Sequence, residues 1–140
     1  MPSYKTHLCI GISCGVIAAY YINQYIPLSP SYVFISISCV ALGSLFPDID
    51  TPHSFIGRRL LPISYIINKV FGHRGLFHSI IFYTIIFMIL PLLNPHLISR
   101  TLYGLILMFS YIGIISHVVM DKVTTMITRK RRSGYNSHHK

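Results

Sequence analysis

The chain has 140 residues, enough for one domain of ordinary size; 52% are hydrophobic and 11% charged, against roughly 25% charged in a soluble domain. Twelve Lys or Arg stand against three Asp and no Glu, a formal net charge of +9. This excludes a disordered chain, which needs low hydrophobicity, and argues against a water-soluble globule, since so few charges cannot cover its surface; an integral membrane protein is expected.

The first apolar segment runs from about His7 to Ile26. It follows a basic start, but no small-residue cleavage site follows it at Asn23–Pro30, so it is expected to be retained rather than removed as a signal peptide. Pro27 and Pro30 separate it from a second segment, about Ser31 to Phe46, which is short against the roughly 17–25 residues that a spanning helix needs. Pro47 and Pro52 close that segment. The connection from Pro47 to Gly75 holds Leu60–Phe71, apolar but interrupted by Pro62, Asn68 and Lys69. A run this short cannot cross the hydrocarbon core, and an interfacial or re-entrant helix is expected there. A third segment runs from about Leu76 to Leu93. After Pro91, Asn94 and Pro95 comes a fourth, about Thr101 to Asp121.

These elements predict an all-α integral membrane four-helix bundle with an interfacial segment between helices 2 and 3. Residues 1–127 form the membrane domain, and 128–140, with Arg129–Arg132, a basic cytoplasmic tail. Cys9, Cys14 and Cys39 lie in apolar stretches with no CxxC and are expected as small buried hydrophobes. Gly11 and Gly15 make a GxxxG suited to close helix packing, from which no oligomer is drawn.

Orientation follows from the basic residues. With four spans and both termini in the cytoplasm, eleven of the twelve Lys and Arg face the cytoplasm, Arg100 being the exception. The run Arg129–Arg132 anchors that topology and suits anionic lipid headgroups. Nucleic acid is not an expected partner, because the charge gathers on one membrane face without interleaved aromatics; the bilayer itself is.

On this topology the three acids share one depth. Asp48 and Asp50 follow Pro47 at the end of segment two, and Asp121 closes segment four. Four histidines join them: His7 opens segment one, His73 and His78 bracket the start of segment three, and His117 lies four residues before Asp121. His117 and Asp121, at i and i+4, share a helix face. Asp48 and Asp50 point the same way if their stretch is extended. His73 fits a turn at Gly72–Gly75, with His78 on the helix. Any one of these residues alone is most simply a cap or an ion-pair partner. Together, seven N and O donors at one depth suit a divalent metal site, with one ion or two bridged by a carboxylate. His53 stands near the set but outside it, His96 lies at the opposite face, and His138 and His139 belong to the tail.

Leu42-Gly-Ser-Leu-Phe-Pro-Asp-Ile-Asp50, His73-Arg-Gly-Leu-Phe-His-Ser79 and Ser116-His-Val-Val-Met-Asp121, with the early Thr6-His7, resemble the motifs of the YdjM-like family of bacterial inner-membrane proteins, classed as metal-dependent hydrolases. The resemblance spans positions 6 to 121; Phe77 departs from it, standing where a small polar residue is common. It implies a helical inner-membrane protein with a metal site of His7, Asp48, Asp50, His73, His78, His117 and Asp121. The family is also distantly similar to zinc-dependent phospholipase C, whose His-xxx-Asp helix pairs hold zinc for phosphodiester hydrolysis; His117 and Asp121 match that pair type.

The expected activity is therefore phosphate-ester hydrolysis at the cytoplasmic surface. Its cofactor is one or two divalent ions, Zn²⁺ by imidazole content with Mn²⁺ as the second choice. A lipid phosphate is the substrate that such a depth would meet. Asp48 or Asp50 would be the general base or bridging ligand. Arg74 would grip a phosphate oxygen, with Arg58 and Arg59 weaker candidates. The alternative is a metal-binding membrane protein without catalysis, whether transporter, sensor or structural. Against transport, no His or acid lies mid-span.

Overall fold

A computed structural model describes residues 3–71, 78–93 and 99–137, with Leu93 and residues 131–137 described by their backbone alone. The described residues are all helical or irregular, in five α-helices. The first, α1 (Tyr4–Tyr25), is capped by Ser3, whose hydroxyl accepts from Lys5 N, and ends where Ile26 turns extended before Pro27. Ser29 caps α2 (Pro30–Leu45), with Pro30 in the first turn, where its missing N–H costs nothing. Pro47 then tightens the chain into a 3₁₀ turn, Phe46–Asp50. The extended form that would aim Asp48 and Asp50 the same way is therefore not adopted: in a 3₁₀ turn, residues two apart point in different directions.

Next come α3 (Leu61–Phe71) and α4 (Ile80–Ile89), the latter capped by Ser79 and followed by a 3₁₀ turn, Leu90–Leu93. The long α5 (Arg100–Ser137) carries the basic run onward as helix. Among the described residues, three helical stretches are long and apolar enough to cross a membrane: Tyr4–Tyr25, Pro30–Asp50 and Arg100–Lys130. The third expected span is shorter in the structure. Its α-helix has 10 residues and its 3₁₀ turn 4, together roughly 23 Å of rise, against about 30 Å of hydrocarbon.

Small residues bring the helices together. A Cβ on Gly11 would lie 2.7 Å from Ser44 Cβ, and one on Gly15 2.7 Å from Val40 Cγ2. The GxxxG face is thus used within the chain, and α1 runs antiparallel to α2. Gly43 and Gly113 likewise let α2 and α5 touch backbone to backbone, at Ser110 O and Val40 O respectively. The apolar core, Ala19, Val40, Leu105 and Phe109, fills one end of this three-helix packing. Helix α4 runs along α5: Thr84 Oγ1 meets Tyr111 OH at 2.8 Å, and Tyr103 OH donates to Leu90 O at 2.8 Å. Its start is at the other end of the bundle, where the start of α1, the end of α2 and residues 113–121 of α5 converge.

Candidate metal centre

That end holds the polar side chains. His7 sits in the second turn of α1, one turn before the Gly11 contact; His78 directly precedes the Ser79 cap of α4; His117 and Asp121 stand one above the other on α5. His7, Asp50, His117 and Asp121 are all buried, with Asp50 and His117 at 0% exposure. The Asp48 side chain keeps 20%. The contacts run between elements. His7 Nε2 lies 3.4 Å from Asp121 Oδ1, His78 Nε2 3.6 Å from Asp121 Oδ2, and His117 Nε2 3.6 Å from Asp48 Oδ1. The His7 and His117 rings stack with centroids 3.9 Å apart, a face-to-face arrangement that two imidazolium cations would resist.

Two trios, His7–His117–Asp121 and Asp48–His78–His117, each present ligand atoms within 4.8 Å of one another. This bears on how well a metal fits. His117 Nδ1 lies 2.7 Å from Ser44 O. A carbonyl only accepts, so Nδ1 carries the proton and donates. In the neutral ring, Nε2 then presents a lone pair, and that buried atom has no hydrogen-bond partner. A lone pair aimed at a carboxylate, with the opposite ring nitrogen held by a carbonyl, is how a metal-bound histidine is oriented. Because Nδ1 is taken, His117 can ligate only one ion, so the two trios that share it cannot both use its ring at once.

The aspartates divide in position. Asp48 faces His117. Asp50 faces His78, with Oδ2 3.2 Å from Nδ1, and accepts a 2.9 Å hydrogen bond from Thr51 Oγ1. Neither trio includes Asp50; it sits behind His78, where a carboxylate orients a ligating ring. The loop is braced from outside. Asn68 Nδ2 donates to Asp50 O at 2.8 Å, and Ser54 Oγ to Asp48 O at 2.7 Å.

Of the expected site residues, the structure gathers His7, Asp48, Asp50, His78, His117 and Asp121. His73 and Arg74 lie outside the described residues. His53 is exposed in the loop before α3. The sequence reading passed over Ser44, Thr51, Asn68 and Tyr83. Tyr83 is the buried residue of α4, at 2% exposure. Its hydroxyl has no hydrogen-bond partner, yet it lies near enough to Asp50 to feel that charge. A groove of about 830 Å³ between α4 and α5, lined by Phe87, Met88, Tyr103 and Met108 among others, includes none of the cluster; its apolar walls suit lipid contact rather than chemistry.

The family model of the YdjM inner membrane protein matches residues 1–130. The chain belongs to that family. The YdjM inner membrane protein of Escherichia coli is 33% identical over 121 residues, covering 84% of this chain and 59% of that protein. The uncharacterized protein YvsG of Bacillus subtilis is 35% identical over 120 residues, covering 86% of this chain and 66% of that protein. The inner membrane protein YbcI of E. coli is 32% identical over 132 residues, covering 89% and 62%. The chain thus spans about three-fifths to two-thirds of the length of these curated relatives. No solved structure matches. As a member of the YdjM family the chain is an inner-membrane protein lying in the lipid bilayer, with several candidate spans and buried His and Asp groups that can hold a metal ion.

Proposed function

We propose that this protein is a membrane-bound metal-dependent hydrolase acting on a phosphate ester at the cytoplasmic face, with lipid phosphate as the substrate class. The observation that carries the reading is His117: a buried imidazole whose Nδ1 is fixed by Ser44 O and whose Nε2 faces Asp48 with no hydrogen-bond partner. Three imidazoles with carboxylates favour Zn²⁺; Mn²⁺ is the second candidate.

The cytoplasmic placement rests on the basic residues: Arg58, Arg59, Lys69, Lys122 and the run at 129–132 lie in the connections and helix end on the cluster's side. In this topology α4 and its 3₁₀ turn are proposed as a fourth crossing, shorter than the other three. It starts at the cluster with His78 and finishes beside Tyr103, near the start of α5, so the chain passes there from one end of the bundle to the other.

His7, His78, His117, Asp48 and Asp121 would hold the metal. A bound divalent ion supplies Lewis acidity and an acidified water. Asp48, the least buried carboxylate of the cluster, would accept the proton of the attacking water, whose oxygen bonds to phosphorus while the phosphorus–oxygen bond to the leaving group breaks and the leaving oxygen takes up a proton. Asp50 holds His78 in its ligating tautomer. Arg74, next in sequence to His73, is proposed to grip a phosphate oxygen.

A second reading, a metal-binding protein without catalysis, draws on the deep burial of His7, His117 and Asp121, since closed sites hold structural ions. The deciding experiment is elemental mass spectrometry of detergent-purified protein beside an Asp48→Ala/His117→Ala variant, followed by a screen of phospholipid turnover. About one or two equivalents of metal in the parent, lost in the variant, with metal-dependent release of phosphate or headgroup, is the expected result. Metal without turnover selects the second reading. Absence of metal after reconstitution with Zn²⁺ and Mn²⁺ overturns both.

A further inference from the structure

Helix α3 is built inside out. Its inward row is Ser64, Ile67 and Asn68, at i, i+3 and i+4: Ser64 is fully buried, and Asn68 reaches Asp50 O. Its outward surface carries Leu61, Ile63, Tyr65, Ile66 and Val70, with Ile66 60% and Val70 66% exposed. A surface helix in water does the reverse, since its apolar stripe seeks the core. At 11 residues, or about 17 Å, it is also too short to cross a bilayer.

What covers the outward face follows from its neighbours. The outward sides of α1 and α2 expose the same kind of surface, with Ile17 at 57% and Phe34 at 75%, and in an inner-membrane protein those sides meet lipid. Cations flank α3 at both ends. Arg58 and Lys69 are exposed, whereas Arg59 is engaged, its guanidinium 3.8 Å from the Phe55 ring centroid. A lysine stem can lie along apolar surface while its ammonium reaches the headgroup layer.

We propose that α3 lies in one leaflet as a membrane-seated wall of the cluster. Leu61, Ile63, Ile66 and Val70 enter the acyl layer, Arg58 and Lys69 hold anionic phospholipid headgroups, and Asn68 ties that lipid seat to Asp50. The proposal rests on membrane insertion and not on hydrolysis; it names anionic phospholipid as the partner beside the site whether or not that lipid is turned over.

The chain has no tryptophan, so single reporters can be placed without background. Ile66→Trp and, as an independent position, Val70→Trp are each reconstituted in phosphatidylcholine vesicles with phosphatidylglycerol, after circular dichroism has shown unchanged helicity. Both reporters should be quenched strongly by brominated acyl chains and weakly by aqueous iodide. Brominated phosphatidylglycerol should quench severalfold more per mole than brominated phosphatidylcholine, and Arg58→Gln/Lys69→Gln should remove that preference while leaving acyl quenching intact. Strong iodide quenching would place α3 in water. Emission untouched by either quencher would mean that protein, for instance a second copy, covers the face. Equal quenching by the two lipids would remove the anionic partner. Each of these three results overturns the proposal, and none depends on metal or turnover, so the hydrolase reading stands or falls separately.

Discussion

The two ends of the bundle bury different things. At one end Ala19, Val40, Leu105 and Phe109 pack as an apolar cluster, with helix backbones brought close nearby by Gly43 and Gly113. At the other, the same three helices bury His7, Asp50, His117 and Asp121. In lipid the first arrangement gains from dispersion and close packing, since apolar side chains gain little by leaving acyl chains. The second carries the desolvation of several ionisable groups, which close pairing offsets only in part. The apolar end therefore supports the fold, while the polar end would gain from a bound cation. If that division is right, perturbing each end should produce its own signature.

The largest expected effect is at the apolar end. Phe109 is fully buried, and Phe109→Ala should cost about 3–5 kcal/mol of unfolding free energy, measured by denaturation in mixed detergent, while the fraction that remains folded keeps its metal content. Loss of metal from that folded fraction would show that the two ends are not independent. Chelation at the polar end comes next. Removing the ion should leave helicity unchanged but take away about 2.7 kcal/mol, the ligand-linked stabilisation expected at a free-ion concentration of 100 times its Kd. A thermal midpoint that does not respond to chelator and Zn²⁺ would sink the idea that this end depends on its ion.

A smaller effect is expected at Asn68. Its side chain donates to Asp50 O at 2.8 Å, and Asn68→Ala leaves that partly buried carbonyl without this donor. The cost should be about 1–2 kcal/mol, with metal affinity weakened roughly tenfold through the displaced Asp50–His78 contact, as for a residue that acts behind the ligands. Isothermal titration with Zn²⁺ checks this, and an unchanged affinity would confine Asn68 to anchoring α3.

What the sequence revealed, and what it hid, follows the same division. His117 and Asp121 were legible as a pair because helical period alone puts i and i+4 on one face. The gathering of His7, the two aspartates and His78 was legible because a bilayer forces helix ends to one of two depths, which makes positions far apart in sequence comparable. Pro47 hid the 3₁₀ turn: a proline after a hydrophobic run suits an extended strand or a tight turn equally well. Ser44 was invisible because what it contributes is a backbone carbonyl, which every residue has. The shortness of α4 was hidden because hydropathy counts residues, not rise; the Ser79 cap and the 3₁₀ turn at Leu90–Leu93 set its length. In α3, Asn68 and Lys69 looked like interruptions of an apolar run, when Asn68 is the inward contact and the apolar residues face out.

The smallest expected stability change separates a packing role from a chemical one. Tyr83 sits in the run Ile80–Ile89, where an aromatic ring is easily taken for bulk. Its hydroxyl is buried and without a hydrogen-bond partner, within reach of the Asp50 charge. A buried hydroxyl left unsatisfied costs about 1–3 kcal/mol, and removing it together with its polarity is close to neutral. Tyr83→Phe should therefore change the unfolding free energy of the metal-free protein by less than about 0.5 kcal/mol, or raise it slightly. If the phenol donates instead to a water or phosphate oxygen bound beside Asp50, the metal-loaded variant should lose about tenfold in turnover, a difference of 1.4 kcal/mol in the barrier. Loss of turnover without loss of stability would add Tyr83 to the chemistry of the polar end. A stability loss above about 1 kcal/mol in the metal-free protein would mean that the hydroxyl has a structural partner, and would return Tyr83 to the packing that holds α4 against the bundle.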